Sequence, residues 1–193
     1  IKTKYKKTDQ VHLVLGVRSY DIHDLRQAIL SVMEGVLSGG MSSRLFQKLR
    51  DEMGVCYYVR AFQDSYTDHG TTAIAAGVTT ERAGEVIKVL LQEFKKLATE
   101  KVGDAELQKV KDYMAGTMYL GLESSDSIAE FYGYQEVLRR ELRTPEDFVK
   151  KIRAVTAEDI QKVAQEIFVN KGLNLALIGP FEDGKQFESL LTF

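Results

Sequence analysis

Apolar side chains in "QVHLVLGV" (residues 10–17) fall on alternate positions, at Val11, Leu13, Leu15 and Val17. That period of two is the mark of a half-buried strand. From Asp21 to Leu37 the spacing becomes helical, with Leu25, Ala28, Ile29, Val32, Met33 and Val36 on one face. Gly39-Gly40 ends that helix, because glycine relieves the left-handed cap position. A shorter helix is expected over Ser42 to Glu52, with Ser42 or Ser43 as N-cap and Gly54 as its stop. "VCYYVRAFQDSY" and "GTTAIAAGVTT" then read as two antiparallel strands joined at the turn "TDHG".

The rest of the pattern is mostly helical. Thr79 or Thr80 opens a helix to about Thr99, Asp104 one to about Leu122, and Ser125 one to about Leu142. Thr144-Pro145-Glu146-Asp147 places a cap, a proline at the first helical position and an acid three residues after the cap. Thr156-Ala157-Glu158-Asp159 repeats the acid placement and starts the last helix, and "LNLALIG" (173–179) closes the pattern as a short strand. This order does not alternate in βαβα fashion. It predicts an α+β fold, with helices packed on one face of a mainly antiparallel sheet built from Val11–Val17, Val55–Tyr66, Gly70–Val78 and Leu173–Gly179. Without repeats, low-complexity tracts or Pro/Ser-rich linkers, residues 1–193 read as one domain.

Composition narrows the function classes. The 193 residues can bury a proper core, and 44% hydrophobic with 28% charged residues is ordinary for a soluble globular chain. A net charge of −2 argues against nucleic acid or an anionic membrane as the main partner. The single cysteine, Cys56, excludes an internal disulfide and fits a reducing, cytoplasmic compartment. No run approaches the ~20 apolar residues that span a bilayer. The start, "IKTKYKKTDQ", has no apolar core of a signal peptide and no initiator Met, so the chain is expected to begin inside a longer protein.

Candidate chemistry is sparse. His12, His23 and His69 are the only histidines, and none belongs to an H-E-x-x-H or H-x-x-E-H pair that would let a helix clamp zinc. They read as strand or surface residues. Cys56, in an apolar strand, reads as a small packing residue rather than an activated thiolate. "LSGGMSSR" lacks the lysine and spacing of a phosphate loop, and a helix stop followed by a helix start explains it. The aromatics Tyr119, Phe131, Tyr132 and Tyr134 are expected to pack in the core or between helices. "QEFKKLATEK" and "LRRELR" read as solvated helix faces.

Arg50 and Tyr57 remain, on either side of the turn at Gly54. On chemistry alone, structural roles are the more economical: Arg50 neutralises a helix C-terminus and Tyr57 packs in a strand. The functional alternative is that the turn carries both to one end of the sheet. There a guanidinium and a phenol could donate to a peptide carbonyl or a developing oxyanion.

The run Gly39-Gly40-Met41-Ser42-Ser43-Arg44-Leu45-Phe46, continued by Leu49-Arg50, Gly54 and Tyr57, resembles the pitrilysin/insulinase family of zinc metallopeptidases, in its processing peptidase-type branch. The resemblance extends from "VHLVLGV" through "TTAIAAGV" to "LNLALIGP". It implies an α+β half-unit of a two-half clamshell that closes on extended peptides. In that family one half holds the zinc through H-x-x-E-H and a later glutamate, and the other contributes an arginine–tyrosine pair near the metal. Those roles carry onto Arg50 and Tyr57, as catalytic residues of a C-terminal, zinc-free half. Zinc would then be the cofactor of the complete enzyme, with all its ligands outside this chain. The partners implied are a zinc-bearing N-terminal half or subunit and an extended peptide substrate. Relatives that have lost activity and serve as scaffolds share the fold, so a non-catalytic peptide-binding or scaffold subunit stays open beside the enzyme reading. A free-standing module that self-associates through the surface the other half would cover is a third expectation.

Overall fold

A computed structural model describes residues 1–139 and 141–193. Five strands form one sheet in the order β1-β5-β2-β4-β3, with β1 Lys2–Tyr5, β2 Gln10–Ser19, β3 Cys56–Ser65, β4 Gly70–Thr79 and β5 Asn174–Gly179. β1 and β5 run parallel and the other three pairings are antiparallel. The α+β class and the mainly antiparallel sheet are therefore as the pattern predicts. β1 is the strand the pattern does not predict. "KTKY" carries no apolar alternation because it is an edge strand, where Lys2 and Lys4 discourage further pairing.

The inward row of β2, namely Val11, Leu13, Leu15 and Val17, is buried under the helices. α1 (Gln27–Ser38) packs against β3, and α2 (Ala83–Thr99) packs against α6 (Ala157–Ile167) and the sheet. Phe94 of α2 is fully buried and stacks on Phe168 with ring centroids 4.1 Å apart. α3 (Asp104–Gly121) lies on α1 and α5 (Pro145–Ala154). Both predicted threonine caps form. Thr144 accepts from the Asp147 N–H while Asp147 accepts from the Thr144 N–H, and Thr156 and Asp159 do the same.

Five expectations are corrected. The helix expected from Asp21 begins only at Gln27, because the Asp21 and Asp24 carboxylates take the backbone N–H groups of His23 and Arg26 in local turns. Leu25, placed by periodicity on the buried face, is 88% exposed as a result. α4 (Ser125–Leu138) stops short of Leu142, and residue 140, within "LRRELR", lies outside the described residues. That segment is not a simple solvated face, since the Nε atoms of Arg139 and Arg143 are buried. Of the four aromatics expected to pack, Tyr119, Tyr132 and Tyr134 are exposed; Phe131 is half-buried beside Phe148. "QEFKKLATEK" likewise contains a buried acid, Glu93. A short α7 (Lys185–Glu188) completes the chain.

Glu34 of α1 supplies a test of this packing. Burial pushes its carboxyl from an ordinary 4.5 up to about 7, opposed by Arg60 and reinforced by Asp64. Below 4.5 the folded and unfolded states both hold the proton, so no penalty exists. As pH rises towards 7 the unfolded chain ionises first and folding is disfavoured. Glu34→Gln is expected to raise the urea midpoint relative to the parent at pH 8 and to leave it nearly unchanged at pH 4.

Candidate functional site

The site is built at the open edge of the sheet, where β3 begins. After α1, Gly40 adopts φ +83°, a conformation that lets the chain reverse at once. The Ser43 hydroxyl donates to the Gly40 carbonyl at 2.7 Å instead of capping the next helix, which corrects its expected role as N-cap. That helix is not a regular α-helix. Residues Phe46–Glu52 are π-helical, and the Met53 N–H donates to the Lys48 carbonyl at 3.1 Å. Such wide turns cluster at functional positions, and periodicity does not reveal them. Leu45 and Leu49 anchor the segment in the core, leaving Arg50 on its exposed side.

Arg44 holds this segment to the helical layer. Its Nε and Nη2 donate to both carboxylate oxygens of Glu106 on α3, at 2.8 and 2.7 Å. Its Nη1 lies 4.0 Å from Glu93, which is only 5% exposed and also accepts from Lys96. The Lys109 ammonium adds a bond to the Ser42 carbonyl at 3.0 Å. The paired acids hold the Arg44 guanidinium above its ordinary value, through the Glu106 hydrogen bonds first.

Gly54, at φ +61°, ends the helix and turns the chain into β3. Arg50 Nη1 then donates to the carbonyls of Cys56 and Tyr57, at 2.9 and 3.1 Å. Here the ladder slips: Cys56 lies opposite Val78 and Tyr58 opposite Gly77, so Tyr57 is the extra residue of a β-bulge. At the bulge Tyr57 and Tyr58 are both exposed, after the buried Cys56. The Tyr57 ring is 54% exposed, and its hydroxyl has no hydrogen bond among the described residues. The two sequence-singled residues are thus adjacent, joined through the Tyr57 main chain. Arg50 keeps Nε and Nη2 without protein partners among the described residues.

Beside the bulge the structure adds what no linear pattern reveals. Tyr58, Gly77 and His12 form one cross-strand row on β3, β4 and β2. The Tyr58 ring lies across Gly77, where an added Cβ would sit 2.4 Å from the ring, and reaches His12 Nδ1 at 3.1 Å. Farther along the same helix-free face is a concavity of about 600 Å³ with Val14, Gly16, Phe62, Ala73 and Ala176 in its lining. Among the described residues, neither Arg50 nor Tyr57 lines this concavity.

Other candidate chemistry falls away on geometry. Burial raises the Cys56 thiol above its ordinary value, with Arg50 opposing, so it remains a packed thiol. His23 sits in the turn before α1, and His69 pairs with Asp68 at 2.7 Å in the β3–β4 turn, both apart from His12. Among the described residues no group of three or more His, Cys, Asp or Glu could hold a metal ion, so this donor set does not fit zinc.

A family profile described as "Peptidase M16 inactive domain" matches residues 1–114. The chain belongs to this family. It is 32% identical over 178 residues to an uncharacterized zinc protease, YmxG, of Bacillus subtilis, covering 92% of this chain and 43% of that protein. A solved peptidase M16 inactive domain from Pseudomonas fluorescens has the same fold, with a TM-score of 0.83 and 20% identity over 93% of this chain and 43% of that one. So does a chain of Complex III2 from Candida albicans, with a TM-score of 0.84 and 13% identity over 99% of this chain and 49% of that one. The chain spans about two fifths of the length of the curated relative it matches.

Arg44→Ala would leave Glu106 unpaired and Glu93 with Lys96 alone. We expect a loss of about 1–3 kcal/mol in chemical denaturation, incompletely restored by Arg44→Lys because lysine lacks the two-pronged donor.

Proposed function

We propose that this chain is the C-terminal, zinc-free half of a zinc metalloendopeptidase acting on unstructured peptides, inactive alone. The observation that carries the reading is the bulge at Tyr57, which presents an unpartnered phenol beside the spare donors of Arg50 on an open rim. Donors on an open rim suit a site completed by another part of the protein. The zinc protease relatives, more than twice as long as this chain, supply the class of that missing part.

In this reading zinc, held outside this chain, supplies Lewis-acid activation of a carbonyl and of water. The Tyr57 hydroxyl donates to the substrate oxygen that gains negative charge. Nε and Nη2 of Arg50 donate to a neighbouring peptide carbonyl and orient the substrate. The bonds from Nη1 to Cys56 and Tyr57 make Arg50 a strut as well, so its guanidinium is held in place before substrate arrives. A second reading, a non-catalytic subunit of a larger assembly, draws support from the likeness to the Complex III2 chain and from the exposed apolar side chains Leu120 and Val137 on α3 and α4.

Tyr57→Phe in the complete protein is expected to leave folding intact and to lower kcat on an unstructured peptide by about two to three orders of magnitude. An unchanged kcat would remove Tyr57 from the site, and a complete protein without peptidase activity would favour the second reading. The purified 193-residue chain is expected to carry no stoichiometric zinc by elemental analysis and to cleave no peptide.

A further inference from the structure

A second cavity, of about 260 Å³, opens on the helical side, between α1, the end of α4 and α5. Its cationic wall is formed by Arg139, Arg143 and Lys151, with Tyr134 beside them. The Nε atoms of Arg139 and Arg143 are buried and have no hydrogen-bond partner among the described residues. Such groups are uncommon in folded proteins, where a buried N–H donor usually finds an acceptor.

The wall is held firmly. Gln135, 1% exposed, donates to the Arg143 carbonyl at 3.1 Å and accepts from the Arg143 N–H at 2.9 Å, which returns the chain so that Arg143 comes back beside Arg139. The Arg139 guanidinium lies over the Phe148 ring, 5.5 Å from its centroid.

The resident acids do not neutralise this wall. Asp24 lines the cavity but is engaged by Arg26 through Nε and Nη2 at 2.9 and 2.7 Å. Glu34 also lines the cavity, on the α1 side, where burial raises its carboxyl's proton affinity and so weakens it as a counter-charge. Glu141 receives one 3.2 Å bond from Arg143 Nη2 and is itself largely exposed, while Asp147 is committed to the Thr144 cap. Burial, then Arg143, depress the proton affinity of Arg139, and burial, then Arg143, do the same to Lys151. Three cations brought together, with only the largely exposed Glu141 bonded to one of them, repel one another, and their unmade bonds cost free energy that an external anion would recover.

We propose that this cavity is a binding site for a small oxyanion carrying phosphate or carboxylate groups. Guanidinium forks match the paired oxygens of both groups, and Lys151 adds a point charge. The volume suits a compact anion, and a chain of net charge −2 does not offer the broad basic surface that nucleic acid needs. This site stands apart from Arg50 and Tyr57 and does not depend on the peptidase reading.

The test is calorimetric titration of the complete protein with inorganic phosphate, pyrophosphate and succinate, each at constant ionic strength set with sodium chloride. We expect saturable binding of one site per chain by at least one of the three, with the ranking of phosphates against succinate identifying the preferred group. Arg139→Gln and Arg143→Gln should each weaken that binding about tenfold or more. Should either variant fail to fold, Lys151→Gln, on the exposed stem of α5, should still weaken it measurably. No saturable binding in the complete protein, as when an acid from another part of the protein fills the cavity, overturns the proposal. Binding that survives unchanged in every folded variant overturns it as well.

Discussion

Strand β2 is the constraint on which the rest depends. It is paired with β4 along all ten of its residues and with β5 from His12 to Gly16, so it can neither shift nor rotate alone. A one-residue slip would carry Val11, Leu13, Leu15 and Val17 out of the core together. Because α1, α2 and α6 all pack on that one face, the other face is left to His12, Val14, Gly77, Tyr58 and small side chains such as Ala73. The result is a one-sided sheet with an open face beside the first residues of β3.

The Arg50–Tyr57 site lies at the margin of that face, and its rigidity is borrowed from the helical layer. Arg44 ties the π-helical segment to α3 through Glu106 and towards α2 through the buried Glu93. Arg50 continues the chain of contacts into the first residues of β3. The bulge then leaves Tyr57 and Tyr58 both exposed after the buried Cys56. Two arginines six residues apart in "SRLFQKLR" therefore divide the work, one anchoring the element and the other presenting its spare donors.

The helical layer is uneven. α2 and α6 bury continuous apolar faces, whereas α4 buries only Gln135 among its fourteen residues. That glutamine does not add to an apolar core; it organises the loop bearing Arg143 and, through it, a cationic cavity. Polar burial at this cost is retained where it holds a defined geometry. The cavity lies among the helices, and the open rim lies at the β3 edge of the sheet.

Much of the fold was legible in the residues. Alternation located β2, the turn "TDHG" joined β3 and β4, opening residues such as Thr79 or Thr80 and Asp104 located α2 and α3, and the Thr-x-x-Asp caps of α5 and α6 formed as spelled out, because these signals are local. β1 was not legible, since an edge strand buries little and needs no apolar alternation. Leu25 sits at a helical period on the buried face, yet it is exposed because two aspartates capture the backbone before the helix starts. At the site, the turn residues Gly40 and Gly54 and the pair Arg50 and Tyr57 stood out along the chain, as did the family they point to. The π-helical segment did not, because apolar periodicity does not distinguish it from an α-helix, and the bulge and the row Tyr58–Gly77–His12 did not, because they exist only once strand registers are set. The buried charges were hidden for the same reason. Glu93, Arg139 and Arg143 sit in stretches that look solvated, and whether such a side chain meets water or protein depends on neighbours that are distant along the chain.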